Sequence, residues 1–425
     1  MLSEGRFRAA LAVLLVAAFL VRLGAAIWWD ARLPAPQSFG LPDSESYWEL
    51  GRQLARGGPY EFQSPERRVF RAPGYPLLLA ALFSMRSDAS VFSARVLGAL
   101  LGSATVAITV WWAARLFDRS TALFAGLLST FYPGGIALSV FILSEALFCP
   151  LMLLELALWT SALTAQRVAV SLTAAAAAGG IGAAAALTRP SWLLFTPLAA
   201  VLGAVLYRRP REILISAIVL LALVIAMAPW WIRNATVTGH FVPTTLQVGV
   251  SLADGLNSRA DGSSNLAPVG ELEARERRRL LGEQLGPGEI EYRLDQYLRR
   301  TALDWAAANP RAALRLAAIK VSRMWNIWPN EPMFRSLPLR LTVMASYVPI
   351  LVLGLLGAWQ FRFLGFPVVL AWLPAVYFTL VHAVFVGSIR YREPAMLALM
   401  VLAAAELVRL SQKRFRPIGA QTRPA

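Results

Sequence analysis

The sequence predicts an all-α polytopic membrane protein of about ten transmembrane helices, with further helices in loops on its outer face. Three observations carry this. Hydrophobic residues make up 57% of the 425, more than a water-soluble chain usually holds. They gather in blocks long enough to cross a bilayer, which takes roughly 20 helical residues. Arginine-rich connections separate the blocks, and their charge bias has a consistent sidedness.

The spans read as 8–29, 91–117, 119–133, 136–163, 168–187, 190–207, 212–231, 341–360, 363–386 and 392–410, each apolar over most of its length. The first follows Arg6 and Arg8, runs past Arg22 and ends in Trp28 and Trp29. Basic residues before an apolar run and tryptophans at its far end read as an uncleaved signal anchor with a cytoplasmic N-terminus. Alternation then places on the cytoplasmic side Arg6 and Arg8, Arg115 and Arg119, Arg167, Arg208, Arg209 and Arg211, Arg362, and a tail from Arg409 through Lys413, Arg414 and Arg416 to Arg423. These segments hold fourteen basic residues against four acidic ones, Glu4, Asp118, Glu212 and Glu406, which is the positive-inside bias.

Two long hydrophilic stretches, 30–90 and 232–340, fall on the other side, and function is expected there. The chain therefore divides into an N-terminal transmembrane module with the first outer stretch (1–231), a second outer stretch with helices of its own (232–340), and C-terminal spans with a basic tail (341–425). Helical patterning runs over Ser44 to Arg56 and Glu289 to Trp328, whereas Ala253 to Gly270 reads as a flexible loop rich in Asp, Gly and Ser. No internal repeat is visible, and no pair of broken spans recurs in the two halves as in many secondary transporters.

The lone cysteine, Cys149, excludes an internal disulfide and a thiolate cluster. His240 and His382 are too far apart in sequence to suggest a histidine metal site, and a carboxylate-bound divalent cation stays compatible. The net charge of +16 belongs to topology and anionic lipid, since no basic stripe marks a soluble nucleic-acid-binding module.

The first outer stretch carries the strongest constellation: Leu41-Pro42-Asp43-Ser44-Glu45-Ser46-Tyr47, then Arg71-Ala72-Pro73-Gly74-Tyr75-Pro76. Asp43 precedes a helical pattern and fits an N-cap, with Glu45 in the first turn. Arg390 and Arg392 stand at headgroup depth between two late spans, where they fit either interfacial anchoring or a lipid phosphate. Glu145 and Glu155 fall inside the fourth span, where carboxylates are costly. Glu145, nearer the outer end, fits either a sugar- or acceptor-binding role or a pair with an intramembrane arginine such as Arg95; Glu155 fits structure. In the second stretch Glu291, Arg293, Asp295, Arg299, Arg300, Arg311, Arg315, Lys320 and Arg323 read mostly as solvated helix faces, with a minority lining an acceptor entrance. Trp230, Trp231, Trp325 and Trp328 read as an interfacial belt, or for the later pair as a lid.

Taken with Ser144-Glu145-Ala146-Leu147-Phe148, Thr188-Arg189-Pro190, Pro229-Trp230-Trp231-Ile232-Arg233-Asn234 and Arg390-Tyr391-Arg392-Glu393-Pro394, the first-stretch motifs resemble the GT-C membrane glycosyltransferases. Within them they are most similar to bacterial members of the protein O-mannosyltransferase and lipid A aminoarabinose transferase superfamily. The resemblance spans nearly the whole chain. It departs in Ser44, which separates Asp43 from Glu45, and in the spacing of Arg71 from Pro73, differences that bear on the donor sugar. The resemblance implies an inverting transfer of a hexosyl or pentosyl group from a polyprenyl-phosphate-linked sugar to an acceptor hydroxyl of a lipid, glycan or protein. This takes place at the outer face of the plasma membrane, the inner membrane of a bacterium. Such a reaction needs a carboxylate base and cations for the leaving phosphate. It assigns Asp43 as base, Arg71, Arg390 and Arg392 as phosphate donors, and Glu45, Tyr47, Tyr75 and Glu145 as substrate contacts; no cofactor is required. A lipid-linked oligosaccharide polymerase or ligase, or a flippase, is the alternative.

Overall fold

In the computed structural model the described residues are 3–33, 39–86, 89–330, 334 and 336–414. The tail arginines Arg416 and Arg423 lie outside them. All regular structure among the described residues is helical.

Among the described residues nine helices are long and apolar enough to cross a membrane: α1 (Glu4–Asp30), α4 (Val91–Leu116), α7 (Glu145–Thr164), α8 (Val168–Thr188), the run Pro190–Tyr207 ending in α9 (Phe195–Tyr207), α10 (Pro210–Thr238), α15 (Leu337–Gln360), α16 (Phe366–Val384) and α17 (Glu393–Arg414). A tenth arises if the bent pair α5 (Arg119–Phe131) and α6 (Pro133–Val140), which turn by 58° at their junction, counts as one span. The chain is a multi-pass membrane protein.

The bend corrects the expected fourth span, 136–163. Pro133 opens α6 and forces the preceding Tyr132 into extended backbone, and Phe141 to Ser144 separate α6 from α7. The break strands the last carbonyls of α5, a cost inside a membrane. Arg22 of α1 meets it, donating to the Ser129 carbonyl at 3.0 Å and the Thr130 carbonyl at 3.3 Å. That explains an arginine buried in the middle of the first span.

Packing sorts the segment ends into two groups. At one end Glu4 pairs with Arg119, Arg211 donates to the Ala165 carbonyl, and Phe117 meets Phe361 edge to face at 4.9 Å. These are the segments that alternation assigns to the cytoplasm. At the opposite end Asp43, Glu145, Arg189 and Arg390 converge, and Glu291 of the second hydrophilic stretch accepts the Val69 N–H of the first at 2.9 Å, so the two stretches pack together. In the centre stands α17, whose Ala395 to Ala405 stretch is buried on every face, as expected for a helix that is apolar all round. Deep in the bundle Glu155 accepts 2.6 Å hydrogen bonds from Trp192 Nε1 and Thr196 Oγ1, the structural role expected of it.

The first hydrophilic stretch forms α2 (Pro42–Ala55) and α3 (Gly74–Met85). The second forms α11 (Val248–Gly255), α12 (Ala267–Leu281), α13 (Pro287–Ala308) and α14 (Pro310–Met324), the last two separated at Pro310, which cannot continue a helix from the residue before it.

Several expectations are revised here. Residues 253–270 are no free loop: their ends are helical, Asp254 accepts from Ser264 Oγ at 2.7 Å and the Asn265 N–H at 2.8 Å, and the Gly262 carbonyl takes the Gly387 N–H at 2.9 Å. α10 continues past Pro229 to Thr238. Its Trp230 and Trp231 indoles donate to the Thr244 and Pro243 carbonyls at 2.7 and 2.8 Å, and Asn234 Nδ2 donates to the Val242 carbonyl at 3.0 Å. The Trp-Trp-Ile-Arg-Asn segment is thus a clasp holding the chain's return. Glu291, Asp295 and Lys320, expected on solvated faces, are buried.

Candidate active site

Asp43 sits in the first turn of α2, not at its cap. The cap position is Leu41, with Pro42 opening the helix where a missing N–H costs nothing. Released from capping, the Asp43 carboxylate meets two arginines: Arg71 Nη2 stands 3.1 Å from Oδ1, and Arg390 Nη1 3.4 Å from Oδ2. Burial works against its ionisation, but these two guanidinium groups outweigh that and hold the carboxyl below its ordinary pKa.

Arg71 is fixed by stacking and hydrogen bonds. Its guanidinium lies 5.0 Å from the ring centres of Tyr47 and Phe62 and donates to Ser46 Oγ at 3.3 Å. The Ser46 hydroxyl in turn donates to the Asp43 carbonyl at 2.8 Å, so one turn of α2 carries both the carboxylate and the arginine's rest. Among the described residues the buried Arg71 Nε–H has no hydrogen-bond partner, a donor left over for a ligand. Gly74 lets the start of α3 approach the end of α8 closely; a Cβ there would collide with Thr188.

Glu145, at the first residue of α7 and fully buried, joins the cluster from the other side. It pairs with Arg189 at 2.6 Å and with Arg390 through both carboxylate oxygens, while Ser144 Oγ donates to it at 3.3 Å. Its partners are therefore Arg189 and Arg390, not Arg95, which pairs with Asp30. The result is an unbroken chain of charge, Arg71–Asp43–Arg390–Glu145–Arg189, with three cations and two anions.

The other sequence candidates divide. Tyr47 stacks beneath Arg71, as described. Tyr75 is buried in an apolar cluster with Trp48, Leu79 and Phe83 and meets Tyr47 edge to face at 5.4 Å, so it supports the wall from behind. Glu45 is exposed on α2 and stands outside the charge chain. Arg392, two residues from Arg390, points into the bundle: fully buried, it lies 3.6 Å from the Tyr347 ring centre, pairs with Glu393 at 3.4 Å and donates to the Met324 and Asn326 carbonyls. It braces helices instead of facing the cluster. Among the described residues no three His, Cys, Asp or Glu side chains converge on a point where a metal ion could be held.

No family model matches the chain, and no curated protein sequence is similar to it. Solved structures are. The oligosaccharyltransferase of Archaeoglobus fulgidus in its apo form aligns with a TM-score of 0.58 and 15% identity over 98% of this chain and 53% of that one. Oligosaccharyltransferase AglB from the same organism, in complex with an inhibitory peptide and a dolichol-phosphate, aligns with a TM-score of 0.55 and 15% identity over 98% and 52%. The chain has the GT-C fold. ArnT from Cupriavidus metallidurans bound to undecaprenyl phosphate gives a looser likeness, TM-score 0.48 at 15% identity over 96% and 78%. The chain spans about half the length of the oligosaccharyltransferases it matches.

Within this GT-C fold, one member of the charge chain was missed from sequence. Arg189 lies in Thr188-Arg189-Pro190, a motif that by itself assigns it no task. The available signal was its position: like Arg390, it ends an apolar run on the side of the long hydrophilic stretches.

Proposed function

We propose that the protein transfers a sugar from a polyprenyl-phosphate-linked donor to an acceptor hydroxyl, with Asp43 as general base and Arg71 and Arg390 as donors to the phosphate. One observation carries it: a carboxylate bridged by two arginines from opposite ends of the sequence, one of them with a buried N–H unused. The dolichol-phosphate in the AglB complex is the same ligand chemistry on a similar fold. The positive-inside bias supports a site at the outer face of a plasma membrane, with both termini cytoplasmic.

In the reaction the acceptor oxygen forms a bond to the anomeric carbon as the bond from that carbon to phosphate oxygen breaks. The acceptor proton passes to Asp43, and the polyprenyl phosphate leaves with the electron pair. Attack opposite the leaving phosphate inverts the anomeric centre through an oxocarbenium-like transition state. The phosphate draws on the same guanidinium N–H groups that hold Asp43 at rest. Donor binding thereby loosens the grip that keeps this carboxylate weakly basic and raises its basicity where a base is needed.

Charge fits each stage. Three arginines and two carboxylates leave one net positive charge, matching the single negative charge of a phosphodiester donor. After transfer Asp43 is protonated and the cluster carries two, while the leaving monoester approaches two negative charges near neutral pH. A flippase moves a lipid without breaking a bond and has no use for a carboxylate base beside the phosphate. A polymerase or ligase of lipid-linked oligosaccharides would share the chemistry and differ in donor.

Mass spectrometry of surface glycans and polyprenyl phosphates from cells with and without the gene tests the proposal. Loss of the gene is expected to remove a glycan or glycolipid species and to raise the pool of its polyprenyl-phosphate sugar. Unchanged glycans together with unchanged lipid pools would overturn it.

A further inference from the structure

Both arginines of the site are carried by short backbone segments with little structure of their own, and both segments are held from behind by the second hydrophilic stretch. The segment before Arg71 is gripped by α13. Glu291, only 4% exposed, accepts the Arg68 N–H at 2.9 Å and the Val69 N–H at 2.9 Å. The same two residues are tied through their carbonyls, Val69 to the Leu246 N–H at 3.0 Å and Arg68 to Arg233 Nη2 at 3.0 Å.

The segment around Arg390 is gripped by α14. Lys320, fully buried, donates to the Val384 carbonyl at 2.6 Å, and Arg323 Nε donates to the Gly387 carbonyl at 3.4 Å. Gly387 passes so close to the Lys320 backbone that a Cβ would collide with it. On the far side of Arg390, the Arg392 guanidinium returns to the Met324 and Asn326 carbonyls at the end of α14.

Buried ionisable groups spent on backbone atoms need a reason, because burial of charge is costly. Here α13 and α14 are consecutive helices joined at Pro310; α13 grips the chain two residues before Arg71, and α14 grips it six and three residues before Arg390, at Val384, where α16 ends, and at Gly387. We propose that Glu291 and Lys320 are positioning residues, through which the α13–α14 pair sets the separation of Arg71 and Arg390 for a lipid-linked phosphate.

This rests on the proposed function for the ligand, but the geometry concerns residues that would touch neither donor nor acceptor. Around Glu291 stand Tyr60, Arg67 and Arg68 of the first stretch, Arg233 of α10, Asp295 one turn on along α13, and Glu273 of α12, paired with Arg67. Burial pushes the Glu291 carboxyl up to about 7 against the pull of its two N–H donors. A raised carboxyl pKa means that the folded chain binds the proton more tightly than the unfolded one. Acidification through pH 7 therefore costs the fold nothing, yet it takes the negative charge from the carboxyl that accepts the Arg68 and Val69 N–H groups. Glu291→Gln should melt no lower than the wild type.

The test measures binding of a polyprenyl monophosphate to the purified full chain in detergent, by quenching of tryptophan fluorescence. Glu291→Gln and Lys320→Gln are each expected to weaken binding about tenfold, the scale of one lost charge-assisted hydrogen bond. The effect should vanish in the matching background, Glu291→Gln adding nothing to Arg71→Ala and Lys320→Gln nothing to Arg390→Ala, since a positioning residue acts only through the group it positions. The ratio of wild-type to Glu291→Gln affinity should shrink toward one as pH falls from about 8 to about 5.5, with the ligand's own titration cancelling.

Additive losses in the double variants, or unchanged affinity in both folded single variants, would overturn the inference while leaving the proposed function standing. Should one single variant fail to fold, the other arm decides. Failure of the wild type to bind the lipid phosphate at all would overturn the proposed function and the inference with it.

Discussion

Asp43→Asn is expected to abolish the proposed sugar transfer, with a fall of about a thousandfold or more in kcat, within the range that a positioned general base supplies. The substitution keeps the side chain's shape and leaves one oxygen for Arg71 or Arg390, so the fold has little reason to change. It removes the anion that holds Arg71 Nη2 and Arg390 Nη1, for which the donor phosphate would compete. Affinity for a polyprenyl phosphate should therefore hold or tighten while turnover collapses. Turnover and lipid-phosphate binding measured on the same folded preparation separate the two effects. Turnover like that of the wild type would sink the mechanism, and loss of binding together with turnover would move Asp43 from base to architecture.

Glu145→Gln has the second largest expected effect, and it falls on stability first. Glu145 is the shared counter-ion of Arg189 and Arg390, and its removal leaves two guanidinium groups facing each other near the membrane with Asp43 as the remaining anion. Breaking a fully buried pair costs about 3–5 kcal/mol. The lower end applies here, because the Arg390 side chain is 27% exposed and water screens part of the loss. The midpoint of thermal unfolding in detergent should drop clearly, and Glu145→Gln/Arg189→Gln should recover part of it, since that pair of changes removes both charges together. An unshifted midpoint would mean that the ion pairs are dispensable. Catalysis should suffer as well, because an Arg390 freed from Glu145 holds Asp43 more tightly and lowers its basicity.

Much of the architecture was legible in the sequence because the bilayer imposes few rules. A span needs an apolar run of fixed length, and arginines mark the side on which it ends. Where two apolar runs abut, those rules go silent. The elbow between α5 and α6 lies within continuous hydrophobic sequence, and only Tyr132-Pro133-Gly134-Gly135 hinted at it. Asp43 was visible as a candidate base, but whether it capped α2 depended on the helix beginning at Pro42 instead of one residue later. Such a boundary lies below what patterning resolves.

Long-range pairing was the least readable. Glu145 and Arg390 are 245 positions apart, and nothing local distinguishes the arginine that faces the cluster from Arg392, which turns away. Charged residues on the second stretch followed helical spacing and so read as solvated. Tertiary packing decides that Glu291 and Lys320 are inside, and a carboxylate or ammonium bonded to backbone leaves no complementary residue for sequence to reveal.

The place of α17 bears on how the protein is made. It packs against α4, α5, α7, α15 and α16, yet it follows all of them along the chain. The spans synthesised before it enter the membrane around a groove that they cannot fill, and the turn carrying Arg390 arrives only with the helix that closes that groove. Assembly of the bundle and completion of the charge cluster are thus one event during biogenesis.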